Sequence, residues 1–63
     1  MNFEAGQTYH AAIGPGLPYK IHICAVIDNE MVVYRYYGRH KQWWHYVVEH
    51  HEMVAIKIER GKG

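Results

Sequence analysis

The groups able to do chemistry in this chain are six histidines, one cysteine and six carboxylates. His50, His51 and Glu52 are consecutive, and a zinc site needs three or four ligands converging tetrahedrally. Neighbours on an extended segment point to opposite sides, so the doublet offers one ligand unless the chain twists there. No CxxC or HExxH spacing occurs, and His22 and His45 are expected in different rows of one face. The histidines therefore read as exposed side chains, with no metal site and no cofactor. Cys24 has His22 and His45 as candidate bases and Arg35 opposite to lower its pKa, but a lone strand cysteine is more often a small packed side chain. Asp28 is the only aspartate and belongs to a turn. Gly14-Pro15-Gly16 lacks the spacing of a phosphate loop and no helix start follows it. The expectation is a protein that is not an enzyme.

Binding chemistry is better represented. Between Glu30 and Glu49 there is no acidic residue, while Arg35, Arg39 and Lys41 fall there with His40 and His45. Tyr34, Tyr36, Tyr37, Trp43, Trp44 and Tyr46, six of the nine aromatic residues, share the stretch. Cations interleaved with aromatic rings suit single-stranded nucleic acid, a protein ligand's proline, or a cationic side chain.

Which of these rings are available depends on the elements that carry them. Six Val, six Ile and one Thr against one Leu is a strand-forming composition. Gln7–Ile13 reads as a first strand and Gly14–Pro18 as a loop. Lys20–Asp28, Met31–Tyr37, Trp43–Glu49 and Met53–Glu59 alternate with a period of two. A two-residue turn at Asn29-Glu30 pairs Ile27 with Val32, Ala25 with Tyr34 and Ile23 with Tyr36. The connection Gly38–Gln42 then pairs Tyr36 with Trp44, Tyr34 with Tyr46 and Val32 with Val48, and the next hairpin sets Val48 against Val54. One inner face results, with Tyr34, Tyr36, Trp44 and Tyr46 in the core. The fold class is all-β: a small five-stranded SH3-like barrel, or a strongly bent antiparallel meander. An open sheet that dimerises is the alternative. The whole chain, 1–63, forms a single small domain, since 63 residues supply one core.

The same register sends Val26, Val33, Val47 and Ala55 outward as one apolar row, flanked by Tyr37, Trp43 and Arg35. Arg39 and Lys41 occupy the adjacent hairpin tip. A contiguous apolar row on a small domain marks a contact surface, unless the N-terminal segment with Phe3 folds over it. The tyrosine–tryptophan pair equally serves as a cross-strand contact that stabilises the sheet.

Val32-Val33-Tyr34-Arg35 followed by Trp43-Trp44 resembles small bacterial and phage-encoded β-barrel proteins of unknown function, over about residues 19–48. That resemblance implies SH3-like topology and a short bacterial or phage reading frame, and no activity. In such a setting the protein could act on a host factor.

At net charge +1, no large field draws the molecule to nucleic acid or lipid. A single cysteine excludes an internal disulfide and favours a reducing, cytoplasmic setting. No apolar run reaches the roughly 20 residues of a membrane span. The expected function is a protein-interaction module that binds a partner protein or its own copy. Single-stranded nucleic acid binding through Tyr37, Trp43, Arg39 and Lys41 is the alternative.

Overall fold

The computed structural model describes residues 2–62. Strands β1 (Thr8–Ala11), β2 (Tyr19–Ile27), β3 (Met31–Tyr37) and β4 (Trp44–His50) are followed by helix α1 (His51–Gly61). The strands form one open antiparallel sheet in the order β1-β2-β3-β4. The meander is as the alternation predicts, but the expected five-stranded barrel is absent. Met53–Glu59, read as a fifth strand, lies inside α1.

The physical reason is that Met53–Glu59 satisfies two periods at once. Val54, Ile56 and Ile58 alternate, yet Val54 and Ile58 also stand four apart, one above the other on a helix. Local signals favour the helix. His50 is extended and its side chain accepts a hydrogen bond from the Glu52 N–H, which satisfies one of the orphan donors of the first turn. Glu52 in the first turn and Arg60 in the last suit the helix dipole. Tertiary packing completes the choice. Ala11, Ile21, Ile23, Val32 and Tyr34 leave one sheet face apolar, and Val54 and Ile58 cover it together with Phe3. A helix laid on that face hides more of it than another strand added at its edge.

Two one-residue offsets alter which side chains share that face. Asp28 and Asn29 both have positive φ (52° and 54°), and the Glu30 N–H donates to the Ile27 carbonyl at 3.0 Å. The turn is therefore centred on Asp28-Asn29 and not on Asn29-Glu30, and the three-residue connection 28–30 pairs Ile27 with Met31. A bulge lies between Ile23 and Ala25: Ile23 pairs with Tyr34, but Ala25 already pairs with Val33. Cys24 is the extra residue, and beyond it the strand's faces exchange. Val26, opposite Val32, packs against the core, while Ile27 is turned out.

The second offset concerns β4. Tyr36 pairs with His45, Tyr34 with Val47 and Val32 with Glu49, each one residue from the expected partner. A one-residue slip moves every side chain to the other face. Val47 thus packs against the core, and Trp44, Tyr46 and Val48 are exposed. Gly38 permits the tight connection behind this register, since any Cβ there would meet the Lys41 carbonyl and the His45 ring.

The slip turns a carboxylate, Glu49, toward the helix side, where it has two partners. The Tyr34 hydroxyl donates to Glu49 Oε1 at 3.0 Å and Lys57 Nζ donates to Oε2 at 2.6 Å. Burial, and next the bonded Glu49 carboxylate, hold the Tyr34 phenol well above the ordinary tyrosine value. The unfolded chain releases that proton at about pH 10, as an ordinary tyrosine does, whereas the folded chain keeps it. Stability from this group is therefore full below that pH and falls as pH rises through it. Melting temperatures through this alkaline range should drop for the wild type, and the drop should be shallower for Tyr34→Phe; equal slopes would exclude Tyr34 as the cause.

Candidate functional site

α1 covers one face of the sheet, and the opposite face carries the largest group of exposed apolar side chains. Tyr46 (63%), Val48 (58%), Tyr37 (50%), Ile27 (48%) and Trp44 (40%) retain these fractions of their accessible surface. Cross-strand pairing brings them together: Tyr37 lies opposite Trp44, Arg35 opposite both His22 and Tyr46, Val33 opposite both Ala25 and Val48, and Ile27 opposite Met31.

Trp44 is the centre of this surface. The Arg35 guanidinium sits 4.5 Å from its ring centroid. His22 and Tyr37 meet it edge-on, at 5.4 Å and 5.5 Å between centroids. Tyr37 is itself tied down, its hydroxyl donating to the Gln42 carbonyl at 2.7 Å. An aromatic ring held on three sides loses little rotamer entropy when a partner covers it, and stacked arginine adds attraction of about 0.5–1 kcal/mol at such a site.

The expected row of Val26, Val33, Val47 and Ala55 is not a surface row. Only Val33 stands on the helix-free face; Val26 is redirected by the Cys24 bulge, Val47 by the β4 register, and Ala55 belongs to the helix, all three packing against the core. Phe3, the residue considered as a cover for the row, is buried in the core on the helix side. Arg35 and Tyr37 are on the helix-free face as expected. Trp43 is not paired with Tyr37; it precedes β4 and approaches His45 at 5.9 Å and Lys41 at 5.7 Å.

Arg39 and Lys41 also turn to the helix side of the sheet. There, beyond the end of α1, a cleft of about 250 Å³ is lined by Tyr19, Tyr36, Arg39, His40, Lys41 and His45. Tyr36 stacks on His45 at 5.1 Å, and Arg39 lies 3.8 Å from the Tyr19 ring centroid while donating to the Pro18 carbonyl at 2.6 Å. A larger cleft of about 560 Å³ is bounded by Asn2, Phe3, Glu4, Val26, Asn29 and His51.

The strand-to-helix junction brings His50 and His51 to 4.4 Å between ring centroids and gathers ligand atoms of His50, His51 and Glu52 within 4.8 Å. The expectation that the two rings diverge is thus corrected, because the chain twists between them. His50 Nδ1 accepts the Glu52 N–H at 3.2 Å, so the neutral ring keeps its proton on Nε2. The group also sits at the positive end of α1, which repels a cation. His50 caps the helix, and His51 and Glu52 open its first turn. Cys24 Sγ donates to the His22 carbonyl at 3.6 Å, so the thiol's partner is a backbone oxygen and not an imidazole.

Trp44, Tyr46, Val48 and Ile27 are the surface residues that sequence reasoning missed. No residue of β4 signalled this phase, since Glu49 is compatible with both: solvated in the expected register, paired with Tyr34 and Lys57 in the observed one. Among the described residues, no helix is long and apolar enough to cross a membrane. Searches against protein-family models, curated proteins and solved structures return no match for this chain.

Proposed function

We propose that this protein is a non-catalytic interaction module that docks a partner protein on the helix-free face of its sheet. The observation that carries the reading is the exposure there of Tyr37, Trp44, Tyr46, Val48 and Ile27 around a Trp44 ring already held by Arg35, His22 and Tyr37. Tryptophan, tyrosine and arginine are the residues that dominate binding energy at protein interfaces, and the neighbouring valine and isoleucine supply apolar area. Affinity capture tests it with Val33→Lys on this face and Met53→Lys on the exposed side of α1. Proteins captured by the wild type should be lost with Val33→Lys and kept with Met53→Lys. Identical captures for all three proteins would remove the reading.

A second reading, single-stranded nucleic acid binding, is favoured by one further observation. The end of the sheet near Tyr37 and Trp44 carries Lys20, Arg35, Arg39 and Lys41, while Asp28, Glu30 and Glu49 lie toward the opposite end. With three of those cations on phosphates, log affinity should fall against log salt with a slope of about −2. Tryptophan fluorescence during titration with mixed-sequence oligonucleotides at low salt decides this reading, and an unchanged signal rejects it.

A further inference from the structure

The sheet is open, and its two edges differ. β1 is four residues long, whereas β4 runs for seven residues, Trp44–His50, without proline, lysine or bulge. Short strands, lysines, prolines, bulges and inward-pointing charges are the devices by which proteins blunt an edge; of these β4 has only the inward Glu49, whose charge Lys57 already neutralises at 2.6 Å. α1 leaves the end of β4 and crosses the helix-side face, where Val54 and Ile58 join the core and the Lys57 carbonyl accepts the Ala12 N–H beyond β1.

Hydrogen bonds beyond both ends of the β3–β4 ladder define which backbone groups face outward. The Gly38 N–H donates to the Trp43 carbonyl at 3.0 Å and the His51 N–H to the Glu30 carbonyl at 2.9 Å. Both bonds continue the β3–β4 register. Since bonded and non-bonded pairs alternate in an antiparallel ladder, the odd-numbered residues of β4 bond to β3. Trp44, Tyr46 and Val48 therefore present N–H and C=O to the open edge, and His50 presents its N–H, its carbonyl being taken up by the first turn of α1.

We propose that a second copy of this chain pairs with that edge, β4 antiparallel to β4 about a twofold axis at Val47. This register uses all seven residues of the strand. It sets Tyr46 opposite Val48 of the second copy, joining two side chains that are largely exposed in the single chain. It sets His45 opposite the second copy's Glu49 on the helix side, Trp44 opposite its His50 on the helix-free side, and Val47 opposite Val47. Shifting the axis to Val48 places Val47 against a carboxylate and pairs only residues 46–50; shifting it to Tyr46 pairs only residues 44–48 and sets Glu49 beyond the strand. The edge is its own complement in one register. The resulting eight-stranded sheet doubles the helix-free face, yet the pairing does not depend on that face having a partner.

The test uses the full chain alone. Sedimentation velocity from micromolar to near-millimolar concentration should show a transition from 7.4 kDa to twice that mass. Val48→Pro removes an outward N–H without touching the β3 ladder, and edge strands accept proline. It should remain at 7.4 kDa throughout, with the wild-type far-UV circular dichroism. In a Cys24→Ser background, Val47→Cys should form an intermolecular disulfide under mild oxidation, because the facing Cα atoms of a non-bonded antiparallel pair are close enough. Thr8→Cys on β1 should not. A wild type that stays at 7.4 kDa at every concentration, a Val48→Pro variant that still dimerises, or equal cross-linking from Thr8→Cys would each overturn the proposal.

Discussion

Replacing Trp44 with alanine should weaken the captured partner's affinity at least about thirtyfold, the equivalent of the 2 kcal/mol that marks an interface hot spot. The size of the effect follows from what surrounds the ring. Arg35, His22 and Tyr37 all contact it, so its removal deletes apolar area and also frees the groups that rest on it. The fold should survive, because Trp44 is 40% exposed and lies outside the core cluster. Unchanged melting temperature with lost affinity, measured by calorimetry on the purified pair, is the expected outcome. Trp43→Ala provides the contrast, since Trp43 stands toward the cleft beside His45 and should change affinity by less than about threefold, the range of an energetically neutral contact. Equal losses for the two tryptophans would place the partner at the tip of the β3–β4 connection and not on the sheet face.

The largest stability effect is expected at Ile58. Its side chain is 2% exposed and packs with Val54, Ile21 and Val32 beneath the sheet. Ile58→Ala should cost about 2–5 kcal/mol, from lost burial and the cavity left behind. At roughly 0.05–0.15 kcal/mol per residue, a domain of this size has about 3–9 kcal/mol in all. The variant should therefore lose about 8–40 °C in melting temperature, at about 4–8 °C per kcal/mol, or fail to fold at ambient temperature. Ile56→Ala should differ by less than about 0.5 kcal/mol, as expected for an exposed helical site where alanine is the better helix former. Ile56 retains 43% of its surface. The pair separates helix from strand directly, because an alternating strand would bury both isoleucines. Similar losses at the two positions in thermal denaturation would contradict the helix.

Local chemistry written in single residues was legible in the sequence. The Gly14–Pro18 loop appears where two prolines and two glycines demand it, and β3 spans Met31–Tyr37 as its alternation predicts. The inward set of β3, Val32, Tyr34 and Tyr36, also followed from its period of two. Arg35 and Tyr37 were correctly assigned to the opposite face for the same reason.

What failed depended on counting across turns. The hairpin after β2 begins one residue earlier than expected, the Cys24 bulge adds one residue, and the Gly38–Trp43 connection changes the phase of β4 by one. Each is a small local choice, and a period of two converts each into a complete exchange of faces. Trp44, Tyr46 and Val48 look like a core stripe in isolation. They are outside in the register that brings Val47 to the core, in which Glu49, in the same phase as Val47, is satisfied by the Tyr34 hydroxyl and the Lys57 ammonium.

Sequence alone therefore determined an antiparallel meander, though with Met53–Glu59 counted as one strand too many, and an aromatic, basic stretch between Glu30 and Glu49. Tertiary structure alone decided that Met53–Glu59 is helical and that Trp44 faces away from the core. Both decisions rest on partners distant in sequence: an apolar sheet face that a helix covers better than a strand, and a register that brings Val47 to the core while β3 and α1 satisfy Glu49. Alternation along a strand states that two faces exist; only the packing of other elements chooses which of them is buried.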